Sequence, residues 1–204
     1  MTVVNSAVDL VSEVPAGRRL VAFAGACGQR AAGLWTAAED PRLAGMLREA
    51  LAATWRCAET GAPPPQAHPE QPLLDETDED SDFGDFHEQR WDAIVTVAYA
   101  VAGAAEINDE TTLLARATSA ARAEVRMVKT LYSERTGGFT GVLDDPGVAR
   151  ELQWQREDIA DLLAGVPADV IRSRAATAAT LLRAGITTGD WSGRLPGLNE
   201  APLF

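Results

Sequence analysis

The sequence predicts an all-α fold, a single-domain bundle of about six or seven helices, and three observations predict it. Apolar residues recur at three-and-four spacing along most of the chain, the period of a helix with one face buried. Helix starts and stops punctuate that pattern: Asp40-Pro41 and Asp145-Pro146 each place a capping side chain before a proline at the first helical position, and Gly61 and Gly165 stand where the matching helices should end. Finally, 204 residues with 46% hydrophobic and 24% charged side chains make a chain long enough to bury its own core without a metal or a disulfide.

The elements follow in order. Residues 5–13 form a short amphipathic helix with Val8, Leu10 and Val11 apolar, capped by Asn5 or Ser6 and ended by Pro15 and Gly17. The next helix runs from about Arg18 to Ala38. Its small residues Gly25, Ala26, Gly28 and Gly33 lower helix propensity, by about 1 kcal/mol for each interior glycine, so another helix is expected to press against that side. From Pro41 to Gly61, Leu43, Met46, Leu47, Leu51, Trp55 and Ala58 line one face. Residues 62–84 break the periodicity, with Pro63-Pro64-Pro65, Pro69 and Pro72 leading into a run of carboxylates, and are read as a long loop.

Asp85 to Tyr132 reads as the central hairpin of two long helices. The first carries Trp91, Ile94, Val95, Ala98, Ala102 and Ala105 as a stripe, with Val97, Tyr99 and Val101 as a second apolar side. After the polar turn Asn108-Asp109-Glu110, Leu114, Ala117, Ala121, Val125, Val128 and Leu131 form the stripe of the second, with Arg116, Arg122, Arg126 and Lys129 toward water. A helix from Pro146 to Gly165 carries Leu152, Gln155, Ile159, Leu162 and Leu163. The last helix starts at Pro167, carries Val170, Ile171, Ala175, Ala178, Leu181 and Leu182, and takes Gly185 as its cap. The helical domain thus spans 1–186, with the 62–84 loop inside it, and 187–204 form a non-helical tail.

Composition narrows the functional classes. A formal net charge of -12 opposes binding to nucleic acid or to an anionic membrane surface and permits a basic protein partner, although acidity alone also serves solubility. The amino terminus lacks the basic-then-apolar pattern of a signal peptide, and no run reaches the roughly 20 apolar residues of a membrane helix, so a cytoplasmic location is expected. Cys27 and Cys57 lie in apolar helical patterns as small hydrophobes. With two histidines and no Cys-x-x-Cys pair, neither a zinc site nor any other cofactor is expected.

Few residues suggest chemistry. Asp78, Asp80 and Asp82 alternate as at the start of a calcium loop, but Phe83 and Gln89 stand where the glycine and the bidentate glutamate are needed. Together with Asp75, Glu76 and Glu79 they form an acidic strip suited to docking a basic protein. His87 has no partner in a recognisable catalytic order, and no nucleophile elbow or Glu-x-x-His pair occurs. Glu151, Glu157, Asp158 and Asp161 read as a solvated helix face with arginines nearby. Gly25, Gly28 and Gly33 lie within a helix, not after a strand, which excludes a dinucleotide-binding turn. Trp55, Trp91 and Trp154 serve as core anchors or pocket walls. In the tail, Trp191, Leu195, Leu198, Leu203 and Phe204 cannot form a helix through Pro196 and Pro202, so they either dock on their own domain or are offered to a partner.

The order of these motifs resembles the YjaG-like bacterial family of unknown function. Phe23, Arg30 and Trp35 match its early Phe, Glu-Arg and aromatic pattern, with Gln29 in place of the glutamate and Gly33 in place of a proline. Leu51 and Trp55 match its Leu-x-x-x-Trp, Asp82-Phe83 its Asp-Phe, and Glu151, Gln155 and Leu162-Leu163 its Glu-x-x-x-Gln helix. The resemblance extends to about Gly185. It implies an all-α fold without a known activity and supplies no active-site residues.

The expectation is therefore a non-enzymatic helical protein that acts through protein–protein contact as an adaptor or an immunity or inhibitor protein. Its contact residues would be those of the acidic strip or of the tail. The alternative is a small-molecule binder or enzyme with a pocket between helices, lined by Trp55, His87 and Trp91. Packing of the small-residue helix across a homodimer also stays open.

Overall fold

The structure, a computed structural model, describes residues 10–33, 41–78, 87–136 and 146–188. Among them lie seven helices and no strand: α1 (Arg18–Ala32), α2 (Pro41–Thr60), α3 (Gln71–Asp78), α4 (His87–Ala105), α5 (Glu110–Thr136), α6 (Pro146–Ala164) and α7 (Ala168–Thr188). The fold is an all-α bundle. Leu10 and Val11 are helical and the Val14 N–H donates to the Val11 carbonyl, but most of the expected 5–13 helix lies outside the described residues. So does the expected extension of α1 to Ala38, beyond its end at Ala32.

α1, rather than the α4–α5 hairpin, stands at the centre. It packs against α2, α4, α5, α6 and α7, and every residue from Leu20 to Gly28 is buried. Its small residues make this close approach geometrically feasible. A Cβ at Gly28 would lie 3.0 Å from Leu51 of α2 and 3.6 Å from the Val97 backbone of α4, so two helices close on it at once. The neighbour expected on the small-residue side is present, and it is more than one helix.

The helix stops fall where expected. Gly61 (φ 79°) and Gly165 (φ 81°) take the left-handed conformation after α2 and α6. There the Gly61 N–H donates to Cys57 and the Val166 N–H reaches back to Asp161, satisfying end carbonyls. The α4–α5 turn is closed by Asp109, whose carboxylate accepts the Thr112 N–H at 3.1 Å and the Thr112 hydroxyl at 2.8 Å. These two bonds hold the Asp109 carboxyl below its ordinary value.

Several expectations are corrected. The segment 62–84 is not a loop throughout, because α3 forms within it: Pro72 sits in the first turn, where a missing N–H costs nothing, and Leu73, 1% exposed, anchors the helix in the main core. Gly185 does not end the last helix, which continues to Thr188 and so takes in the first residues assigned to the tail. Trp91 belongs to the α4 stripe by spacing yet is 43% exposed, and Val170 and Leu163 are likewise exposed.

The core is divided. A large apolar cluster joins α1, α2, α4 and the first half of α5, with Ile159 and Leu162 of α6 and Ile171 and Ala175 of α7. A smaller one gathers Ala31, Val125, Met127, Val128, Val148, Leu152, Trp154, Leu181 and Leu182. Along α1, α5 and α6 the change from one cluster to the other is marked by a buried polar side chain: Arg30 before Ala31, Glu124 before Val125, and Gln155 and Asp158 between Trp154 and Ile159.

Candidate functional site

These polar residues form one connected layer. Arg30 is 1% exposed and is surrounded by carboxylates from two helices. Its Nε donates to Glu124 Oε1 at 2.9 Å and its Nη2 to Glu124 Oε2 at 3.1 Å, a bidentate pair. Nη1 donates to Asp158 Oδ2 at 2.6 Å, and Nη2 also lies 3.1 Å from Glu151 Oε1. Glu124, Glu151 and Asp158 are all buried, as is Gln155, whose amide donates to the Ala121 carbonyl, Glu124 and Glu151. At the rim, Arg174 of α7 donates to Asp158 Oδ1 at 2.9 Å and pairs with Asp161, which carries the layer outward to water.

Sequence position explains why the side chains meet. Arg30 follows Phe23 and Cys27 on the buried face of α1. Glu124 follows Leu113, Ala117 and Ala120 on α5, and Glu151, Gln155 and Asp158 share a face of α6 at helical spacing. Each polar group therefore occupies a core position by geometry, and burial is tolerable only because the charges are paired.

The electrostatics follow from that enclosure. Burial raises the Glu151 carboxyl well above the usual range, offset in part by Arg30 and reinforced by the hydrogen-bonded Glu124. Burial alone would weaken the hold of Arg30 on its proton, but Glu124, Glu151 and Asp158 outweigh it, and the guanidinium stays charged. Burial likewise raises the Cys27 thiol, with Glu124 adding to the effect; its sulfur lies 3.7 Å from Arg30 Nη2. Glu151 Oε2 and Gln155 Oε1 are buried without a hydrogen-bond partner. Among the described residues no group of three or more His, Cys, Asp or Glu side chains is arranged to hold a metal ion. The inner part of the layer, Arg30 with Glu124, Glu151, Gln155 and Asp158, is enclosed and ties α1, α5 and α6 together.

Of the residues singled out from sequence, the structure describes a part. Asp75 is exposed on α3 and accepts from Gln71, and Glu76 pairs with Arg42. The side chain of Asp78, all of Glu79, Asp80 and Asp82, and the tail residues Trp191, Leu195, Leu198, Leu203 and Phe204 lie outside the described residues. Trp55 is buried and its indole N–H donates to Gln29 at 3.3 Å. Trp91 stands at the other end of α4, with Arg126 5.9 Å from its ring. Nearby on α2, Cys57 donates to the Ala104 carbonyl, at a point of α4 more than three helical turns, or about 20 Å, from Trp91. The His87 side chain lies outside the described residues.

A different concavity is present, a groove of about 380 Å³ where α2 faces the 62–72 segment, lined by Met46, Glu49, Ala53, Arg56, His68 and Leu73 among others. Sequence reasoning missed this groove and the ionic layer. Glu151 and Asp158, taken as part of a solvated face, are buried; Asp161 and Glu157 of the same group keep partial contact with water. The overlooked signal was charge at core spacing, most clearly Glu124 within the run Leu113, Ala117, Ala120, Met127.

Compared with known proteins, the chain matches no protein-family model, no curated protein and no solved structure.

Proposed function

We propose that this chain is a non-enzymatic cytoplasmic helical protein that acts by protein–protein interaction, as an adaptor or an immunity or inhibitor protein, and that its partner presents a basic surface. The observation that carries this reading is the disposition of charge. The convergent titratable groups of the helices are sealed in the ionic layer, while α3, anchored by Leu73, carries Asp75 into solvent at the head of the acidic strip Asp75, Glu76, Asp78, Glu79, Asp80 and Asp82. A net charge of -12 would speed encounter with a basic surface. No described helix is long and apolar enough to cross a membrane. The resemblance to YjaG-like proteins fits a scaffold of this kind, since Arg30, Glu151 and Gln155, three residues that carry it, meet in the layer.

The test is affinity capture at low and moderate salt, with the wild-type chain beside a variant carrying Asp75→Lys, Glu76→Lys and Asp78→Lys. Partners retained by wild type should be lost with rising salt and absent from the variant. Partners indifferent to both changes would refute the electrostatic reading.

The groove between α2 and the 62–72 segment favours a second reading, a small-molecule binder, because Met46, Ala53 and Leu73 offer apolar surface beside Glu49, Arg56 and His68. Native mass spectrometry of the purified chain discriminates: a stoichiometric small-molecule adduct lost on Ala53→Trp substitution supports it, and a bare chain mass opposes it.

A further inference from the structure

Glu124 and Glu151 compete for the same two donors. Glu124 Oε2 and Glu151 Oε1 each lie 3.1 Å from Arg30 Nη2, and they lie 3.4 and 3.0 Å from the single amide nitrogen of Gln155. Arg30 Nη1 is already taken by Asp158, and the other guanidinium of the layer, Arg174, is directed to Asp158 and Asp161. The remaining titratable neighbour, Cys27 of α1, is a buried thiol and brings no positive charge. Two carboxylates this close, at 0% exposure, would repel strongly if both were ionised, which is the arrangement in which one carboxyl keeps its proton.

We propose that Glu151, crowded against Glu124, keeps a proton at neutral pH, and that α6 opens more readily as pH rises because opening releases that proton. The proton sits on Glu151, the carboxyl that burial and Glu124 push upward. α6 is the element that responds because it supplies Glu151, Gln155 and Asp158 together. The sign follows from linkage. A carboxyl whose folded-state affinity for the proton exceeds its unfolded one stabilises the fold at low pH, and that contribution declines as pH rises from the ordinary glutamate range toward the folded-state value.

Hydrogen exchange of α6 amides in the intact chain, corrected for the intrinsic pH dependence of exchange, tests the proposal. In wild type the opening constant should climb by up to about tenfold per pH unit from the ordinary glutamate range upward, the slope for release of one proton on opening, and level off once Glu151 ionises in the closed state. In Glu151→Gln, which keeps the shape without the ionisation, it should stay flat. Carboxyl carbon NMR of the wild-type chain labelled at glutamate needs no variant, and one resonance should hold the protonated position at pH 7. Parallel opening profiles in the two proteins, or a complete set of ionised glutamates at pH 7, would overturn the proposal.

Discussion

Arg30 and Glu124 stand 94 positions apart in the chain and form a bidentate ion pair at 2.9 and 3.1 Å with neither side chain in contact with water. The first helix is thereby tied to the fifth by two parallel hydrogen bonds, and through Asp158 to the sixth. Breaking such a pair from one side leaves charge buried without compensation. Arg30→Met should therefore lower stability by about 3–5 kcal/mol in urea unfolding. Arg30→Lys keeps the charge but has no fork to match both oxygens, and should fall between that variant and wild type.

Gly33 and Gly45 should respond to alanine in opposite directions. A Cβ at Gly33 would collide with the Cβ of Ala179 on α7 and come within 3.2 Å of its Cα, so Gly33→Ala must push two helices apart and should cost about 1–3 kcal/mol. A Cβ at Gly45, within α2, meets nothing within 4 Å. There the substitution removes only backbone freedom and should stabilise by about 0.5–1 kcal/mol. Thermal melting of the two variants beside wild type checks both signs.

Cys57 is fully buried and burial pushes its thiol up to about 11. At pH 8 only roughly a thousandth of it is thiolate, the reactive form. Neither Cys57 nor the buried Cys27 should react with a thiol reagent in the native protein, and both should react once it is unfolded in denaturant. Rapid native labelling of either would show that the core around it opens readily.

Among the described side chains of α3, Leu73 is the one buried to 1%, and it anchors the helix in the main core. Leu73→Ala should cost about 2–5 kcal/mol if the whole chain unfolds as a unit. Hydrogen exchange should show where the loss falls: α3 amides should lose protection first, ahead of α1, because Leu73 is the deepest anchor of a short helix otherwise held by the half-buried Leu74 and the Glu76–Arg42 pair.

Much of the fold can be read directly from residue patterns. The buried face of α2, the hairpin turn at Asp109, the stops at Gly61 and Gly165 and the close packing against α1 each follow from a local rule acting without competition. Reading fails where two rules conflict. Pro72 was weighed as a breaker because it follows a proline run, whereas in the first turn of α3 it starts a helix. Trp91 keeps the spacing of the α4 stripe near that helix's start, yet the described bundle leaves its ring 43% exposed. Asp158 reads as water-facing because a charged side chain usually is, and nothing local marks Glu124 as an exception to that rule. Their burial depends on partners from other helices, and no single helix carries that information.

The ionic layer also limits how the bundle can be misassembled. A helix displaced by one residue advances about 1.5 Å and turns by about 100°. Leucines and alanines exchange one apolar neighbour for another after such a slip and lose little, but Arg30 turned that far would face no carboxylate, Glu124 and Asp158 would lose their counter-charge, and Glu151 would lose its donors. Rejected arrangements are thus distinguished by an unpaired buried ion rather than by shape, so small, interchangeable side chains along α1, α4 and α5 can coexist with a single alignment of the helices.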